Sequence, residues 1–133
     1  MADARATLGR RERIKSRKQV EALFEGGNSR SMAAFPLRVV YMLTEATAEE
    51  PPVQMMVSVS KRHFKHAVQR NRVKRQVREA YRLNKQPLHD HIVSKQPGKA
   101  LWLAFIWQAD KLFATNDVTT NMQRLLQRLI EQL

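Results

Sequence analysis

Between Lys61 and Lys85 the chain sets ten Lys and Arg residues against one acid, Glu79. A guanidinium is planar and can grip two phosphate oxygens together or stack on a base, whereas an ammonium acts as a point charge. The run Arg70-Asn71-Arg72-Val73-Lys74-Arg75, continued by Arg78 and Arg82, therefore has the chemistry to hold a phosphate backbone, and Asn71 adds a directional partner for sugar, base or main chain. Ordinary exposed helices also carry charge, but they pair it with acids three or four residues away. One Glu cannot serve ten cations, and like charges at that spacing cost an isolated helix about 0.2–0.5 kcal/mol per pair. The segregation points to a polyanion outside the chain.

No arrangement for covalent catalysis accompanies these cations. The sequence has no nucleophile elbow, phosphate-binding glycine loop or paired carboxylates. His89-Asp90-His91 offers imidazole and carboxylate, yet it falls in a segment expected to be a loop and finds no further His or Cys to complete a shell, so no metal site is expected. His63 and His66 flank the basic run and are expected to meet nucleic acid or solvent rather than to serve as acid or base. The two tryptophans, Trp102 and Trp107, lie in an apolar strand and are expected in the core, with Trp107 the more exposed and able to stack.

The whole chain repeats the imbalance. With 24 Lys and Arg against 12 Asp and Glu, 133 residues carry a formal net charge of +12. Eight of the cations fall between Arg5 and Arg30, so two basic blocks bracket a nearly neutral middle. An anionic membrane is the alternative polyanion, but the longest apolar run, Ala100 to Trp107, is far short of the roughly 20 residues of a span, and neither a lipidation motif nor a secretory signal is expected. The lack of cysteine fits a reducing cytoplasm.

The elements that must position these residues follow from periodicity. A single domain over residues 1–133 is expected, with a flexible basic arm over residues 1–12. Val20, Leu23 and Phe24 recur at helical spacing after Ser16 as N-cap and before Gly26-Gly27. Phe35, Leu37, Val39 and Tyr41 alternate onto one face of a strand that carries Arg38 on the other; Val53 to Ser60 is expected to return beside it as a hairpin across an acidic loop. The long helix Phe64 to Leu83 ends at Asn84 and Pro87, and Gln86 to Lys99 is expected to be a linker. Ala100 to Trp107 is expected to be a central buried strand. Val118, Met122, Leu125, Leu126, Leu129 and Ile130 then mark a final helix capped among Thr115, Asn116 and Asp117.

The fold class is therefore α+β: a small two-layer α/β sandwich in the order α-β-β-(β)-α-β-α, the bracketed strand optional, with a mostly antiparallel sheet. At about 100° per residue, Val73, Val77, Ala80 and Tyr81 form the seam of the long helix. Arg70, Asn71, Lys74, Arg75, Arg78, Arg82 and Lys85 fill an adjacent arc of roughly 140°, and Arg72 lies on a second flank.

Three runs carry a resemblance: Ser58-Val59-Ser60-Lys61-Arg62, Ala67 through Arg75 centred on Arg70-Asn71-Arg72, and Arg78-Glu79-Ala80-Tyr81-Arg82. Together with Arg13-Ile14-Lys15, Val20, Leu23, Phe24, Gly27 and Tyr41, they resemble the signature of the bacterial ribonuclease P protein subunit over nearly the whole chain. The resemblance implies a monomeric protein that joins a catalytic RNA in a 1:1 complex and binds precursor tRNA, to promote endonucleolytic removal of the 5′ leader. It implies that the RNA, with Mg2+ at its own active site, carries the chemistry, and that the protein is not catalytic alone. It also implies a left-handed β-α-β crossover, against the usual hand.

Carried over by position, Lys61, Arg62, Arg70, Arg72, Arg75 and Arg82 correspond to contacts with the catalytic RNA. Asn71, Lys74 and Arg78 correspond to the edge of a leader cleft, and Val20, Phe24 and Tyr41 to its floor, with Arg13 and Lys15 as N-terminal cations. The sequence departs from the family pattern at Val20, often Phe, and at Met55 and Met56, where a glycine is usual. A ribosomal or general RNA-binding protein, a helix-turn-helix module and a metal-dependent nuclease are the competing readings. The helix-turn-helix is disfavoured because the basic helix follows a strand, and the nuclease because clustered carboxylates are missing.

Overall fold

A computed structural model of the chain describes residues 7–133. A 3₁₀ turn, Arg10–Glu12, leads into helix α1, Arg17–Glu25, and strands β1, Arg30–Ala34, β2, Leu37–Glu45, and β3, Val53–Ser58. Helices α2, Ala67–Asn84, and α3, Gln86–Lys95, come next, then strand β4, Lys99–Trp107, and helix α4, Thr115–Gln132. Helix α1 closes on Gly26, where a Cβ would lie 2.6 Å from the Ala22 carbonyl oxygen, and Gly27 then turns the chain out of the helix at φ 79°.

The four strands form one sheet in the order β1-β2-β4-β3. β1 pairs antiparallel with β2, β2 antiparallel with β4, and β3 parallel with β4. The mixed, mostly antiparallel α+β architecture is thus as expected, and β4 is the central strand its unbroken apolar run required. The expected hairpin between β2 and β3 is not formed. β4 inserts between them, so β3 reaches its neighbour through the crossover made by α2 and α3.

Strand alternation divides the sheet's side chains into two sets. Leu37, Val39, Tyr41, Leu101, Leu103, Phe105 and Trp107 face the main core, where they meet Val73, Val77 and Tyr81 of α2, Leu88 and Ile92 of α3, and Val118, Met122 and Leu125 of α4. On the opposite face Val40, Met42, Met56, Trp102 and Ala104 meet Ile14, Val20 and Leu23 beneath α1. The sheet and the layer of α2 to α4 form the body; α1 is added to the other side.

Several boundaries differ from expectation for identifiable reasons. Phe35 belongs to a turn between β1 and β2 and is 61% exposed, rather than heading the buried face of β2. The linker over Gln86 to Lys99 is mostly helix, because Pro87 sits in the first turn, where a missing N–H costs nothing, and Leu88 and Ile92 are fully buried one turn apart. Phe64 precedes α2 instead of opening it, and α4 takes Ala114 as its N-cap in place of Thr115, Asn116 or Asp117. Trp107, expected to be the exposed tryptophan, is fully buried against Phe113, and Trp102 is the half-buried one, because their positions fall on opposite faces of β4.

The arm expected over residues 1–12 is anchored from Thr7 onward; residues 1–6 lie outside the described residues. Leu8 packs against the main core, the Ile14 N–H donates to the Met55 carbonyl at 2.8 Å, and Gln54 donates to the Arg11 carbonyl at 2.7 Å. This segment covers the outer edge of β3, which would otherwise present unpaired main chain.

Candidate nucleic-acid interface

Helix α2 is held by its apolar seam, with Val73, Val77, Ala80 and Tyr81 all buried as their spacing demanded. Its other faces are open, and they form one wall of a groove of about 630 Å³. Arg72, Arg75, Gln76, Arg78, Glu79 and Arg82 come from α2, Thr7, Leu8 and Arg13 from the anchored arm, and Thr115 from the start of α4. Five arginines therefore share one concavity with a single carboxylate. Gln76 fastens the far end by donating to the Phe113 carbonyl at 3.0 Å and the Thr115 hydroxyl at 3.2 Å.

The cations differ in how far the protein itself occupies them. Arg82 grips Glu79 through two nitrogens, at 3.0 and 2.5 Å, which holds the Glu79 carboxyl below its usual range. Arg70 turns back from the helix to donate to the Phe64 and Lys65 carbonyls, each at 2.9 Å, and so fastens the turn before α2. Lys85, placed by periodicity on the cationic arc, is instead buried and paired with Glu12 at 2.5 Å. Arg78 is held below its ordinary value first by burial and then by the neighbouring Arg13, a sign of uncompensated positive charge.

The structure brings Arg13, Arg72, Arg75, Arg78 and Arg82 together. Arg78, assigned by position to the cleft edge, thus shares the groove with the residues assigned to the catalytic RNA. Asn71 is exposed and Lys74 half-buried; Lys74 lies one turn before Arg78 on the same stripe. Lys61 and Arg62 are exposed in the turn after β3, and Lys15 is exposed where the arm enters α1.

The supposed cleft floor separates. Val20 belongs to the cluster beneath α1 and Phe24, also on α1, is 43% exposed, whereas Tyr41 is buried in the main core on the other side of the sheet. Tyr41 is therefore not a companion of Val20 and Phe24. The alternation that put it beside Leu37 and Val39 already barred it from the opposite face. Val40 and Arg38 are the β2 residues that share a recess with Phe24, together with Arg30, and the parity of Arg38 was the signal for it. Gln76 and Thr115 had no sequence signal, since only the packing of α4 beside α2 joins them.

The histidine cluster dissolves in a similar way. On α3, successive residues point about 100° apart, and His89 turns inward to meet the Tyr81 hydroxyl at 2.9 Å. Among the described residues no three His, Asp or Glu side chains converge as metal ligands. None of the described helices is long and apolar enough to cross a membrane. His63, rather than lying open, contacts Asp110 at 2.6 Å and ties the turn after β3 to the one after β4.

Fold and site together define the class: a small, strongly basic α+β protein with an arginine-lined groove along its most cationic helix. The Ribonuclease P family model matches residues 8–129. The chain is 41% identical over 123 residues to the Ribonuclease P protein component of Porphyromonas gingivalis strain ATCC 33277, spanning 92% of this chain and 85% of that protein. It is 37% identical over 82 residues to the same component from Chlorobium phaeobacteroides strain DSM 266, spanning 62% and 56%. In fold it is similar to the Staphylococcus aureus RNase P protein, with a TM-score of 0.64 at 24% identity over 88% of this chain and 94% of the other. The Thermotoga maritima RNase P protein gives a TM-score of 0.64 at 20% identity over 88% and 96%. The chain belongs to the ribonuclease P protein component family, whose role is in processing the 5′ end of tRNA.

Proposed function

We propose that this protein is the RNA-holding partner of a catalytic RNA, and that together they remove the 5′ leader of precursor tRNA by endonucleolytic hydrolysis. The observation that carries the reading is the groove in which Arg13, Arg72, Arg75, Arg78 and Arg82 face a single acid. A phosphate backbone laid there relieves the mutual repulsion of the arginines and receives charge-assisted hydrogen bonds from guanidinium forks. The main RNA contact is assigned to this groove, with Lys61, Arg62 and Arg70 extending it. The leader is assigned to the side of the molecule where Val20, Phe24 and Val40 lie, with Lys15 nearby, and Asn71 and Lys74 of α2 are carried over by position as further leader contacts.

The protein's contribution is electrostatic and geometric. It binds both RNAs, screens their repulsion and positions the cleavage site; Mg2+, bound by the RNA and not by this chain's side chains, would supply the hydrolytic chemistry. The setting is the bacterial cytoplasm, and one protein copy serves one RNA. The test is reconstitution: purified protein, ribonuclease P RNA and precursor tRNA at low magnesium. Leader removal is expected with both components and at much reduced rate with RNA alone. Cleavage by the protein without the RNA would instead assign it the chemistry and overturn the division of roles.

A further inference from the structure

Arg13 reaches the groove from the arm, not from α2, and its presence there is electrostatically uphill in the free protein because four other arginines surround it. Something must hold the arm in place. Hydrogen bonds at the Arg11 carbonyl and the Ile14 N–H hold the arm on either side, and the residue immediately before Arg13 adds a buried ion pair. One oxygen of the Glu12 carboxylate accepts from the Gly9 N–H at 2.9 Å and closes the 3₁₀ turn, and the other lies 2.5 Å from the Lys85 ammonium. Lys85 also donates to the Thr7 carbonyl. The Lys85 and Glu12 side chains are only 5% and 18% exposed, so solvent and salt screen this pair far less than they screen the groove.

We infer that the Glu12–Lys85 pair is a positioning device that sets Arg13 in the groove as its fifth phosphate-binding cation. Lys85, the last cation of the basic block, therefore acts on RNA through Arg13 and contributes no direct contact. The inference rests on the groove being the RNA site, and the experiment separates the two. The double variant E12Q/K85M removes one charge of each sign, so the formal net charge stays at +12 and no buried ion is left alone.

Binding of ribonuclease P RNA is measured over a potassium chloride series for the wild type, Arg13→Ala, E12Q/K85M, the triple variant and Arg72→Ala/Arg75→Ala, with circular dichroism confirming the fold. Arg13→Ala is expected to bind about tenfold more weakly, with the salt slope reduced by about one. E12Q/K85M is expected to match it in both respects, and adding Arg13→Ala to that background to cost nothing more. A purely structural loosening with Arg13 still engaged would leave the slope unchanged. Wild-type binding by folded E12Q/K85M, with the Arg72/Arg75 variant weakened, overturns the positioning role and leaves the groove standing. Wild-type binding by the Arg72/Arg75 variant overturns both. If the double variant fails to fold, Glu12→Asp keeps every charge while drawing the carboxylate back; the same weakening is expected, and its absence rejects the device.

Discussion

Arg78 shows how much one position on a helix can be asked to do. It lines the groove with Arg72 and Arg75, stands one turn after Lys74 and approaches Arg13 closely enough to suffer from it. Replacing Arg72 and Arg75 with Ala is expected to weaken assembly with the catalytic RNA by about tenfold or more, since each removes a charge-assisted contact. Lys74→Ala should mainly weaken binding of the leader, and Arg78→Ala should weaken both. Equal effects of Lys74→Ala and the Arg72/Arg75 change in separate assembly and leader-binding titrations would reject this assignment. His89 raises a different matter. Burial first, and the Lys85 ammonium second, lower its pKa to about 4, outweighing Glu12 and Asp90, which act in the opposite direction. The unfolded chain, with an imidazole near 6.5, then binds the proton more readily, so stability is full above that value and falls as pH drops toward 4. The loss is on the order of 3 kcal/mol, and urea unfolding of His89→Gln should show a flatter dependence across that window.

At the scale of elements, α3 is the instructive one. Its proline and its polar residues suggested a linker, but Leu88 and Ile92 carry it into the core. Leu88→Ala is expected to destabilise the protein by about 2–5 kcal/mol in chemical denaturation, a cost no exposed loop residue would impose. The signal was present in the spacing of Leu88 and Ile92 and in the tolerance of a first helical turn for proline. Strand β1 was less legible. Arg30 to Ala34 contains no β-branched or aromatic residue, and it is ordered by register against β2, with Arg30 opposite Tyr41 and Ala34 opposite Leu37. The seam of α2, the buried character of β4 and the stripe of α4 were readable because each is a strong local periodicity. Pairing was not: neither Val53 nor Leu101 states that β3 will lie parallel to β4 with those two residues in register. The groove was half readable for the same reason, its α2 wall written in one run of sequence and its arm wall fixed by Glu12 and Lys85 across the fold.

For the molecule as a whole, a net charge of +12 without RNA is a load on the compact state. Raising salt from about 0.05 to 0.5 M shrinks the screening length from more than 10 Å to a few Å and should raise the melting temperature of the free protein. The same change should weaken RNA binding. If about five phosphates of single-stranded leader are neutralised, log affinity should fall with log salt at a slope near 3 to 4. A free protein destabilised by salt would mean that the Glu79–Arg82 and Glu12–Lys85 pairs outweigh the repulsion. The central place of β4 also has a bearing on synthesis. The middle strand of the sheet is the last one translated, so β2 and β3 have no shared neighbour until Lys99 to Trp107 has left the ribosome. Until then the arginine helix is a polycation tethered to an unfinished scaffold, without the completed sheet against which its seam packs. The helix is therefore expected to take its fixed orientation only once β4 has joined the sheet.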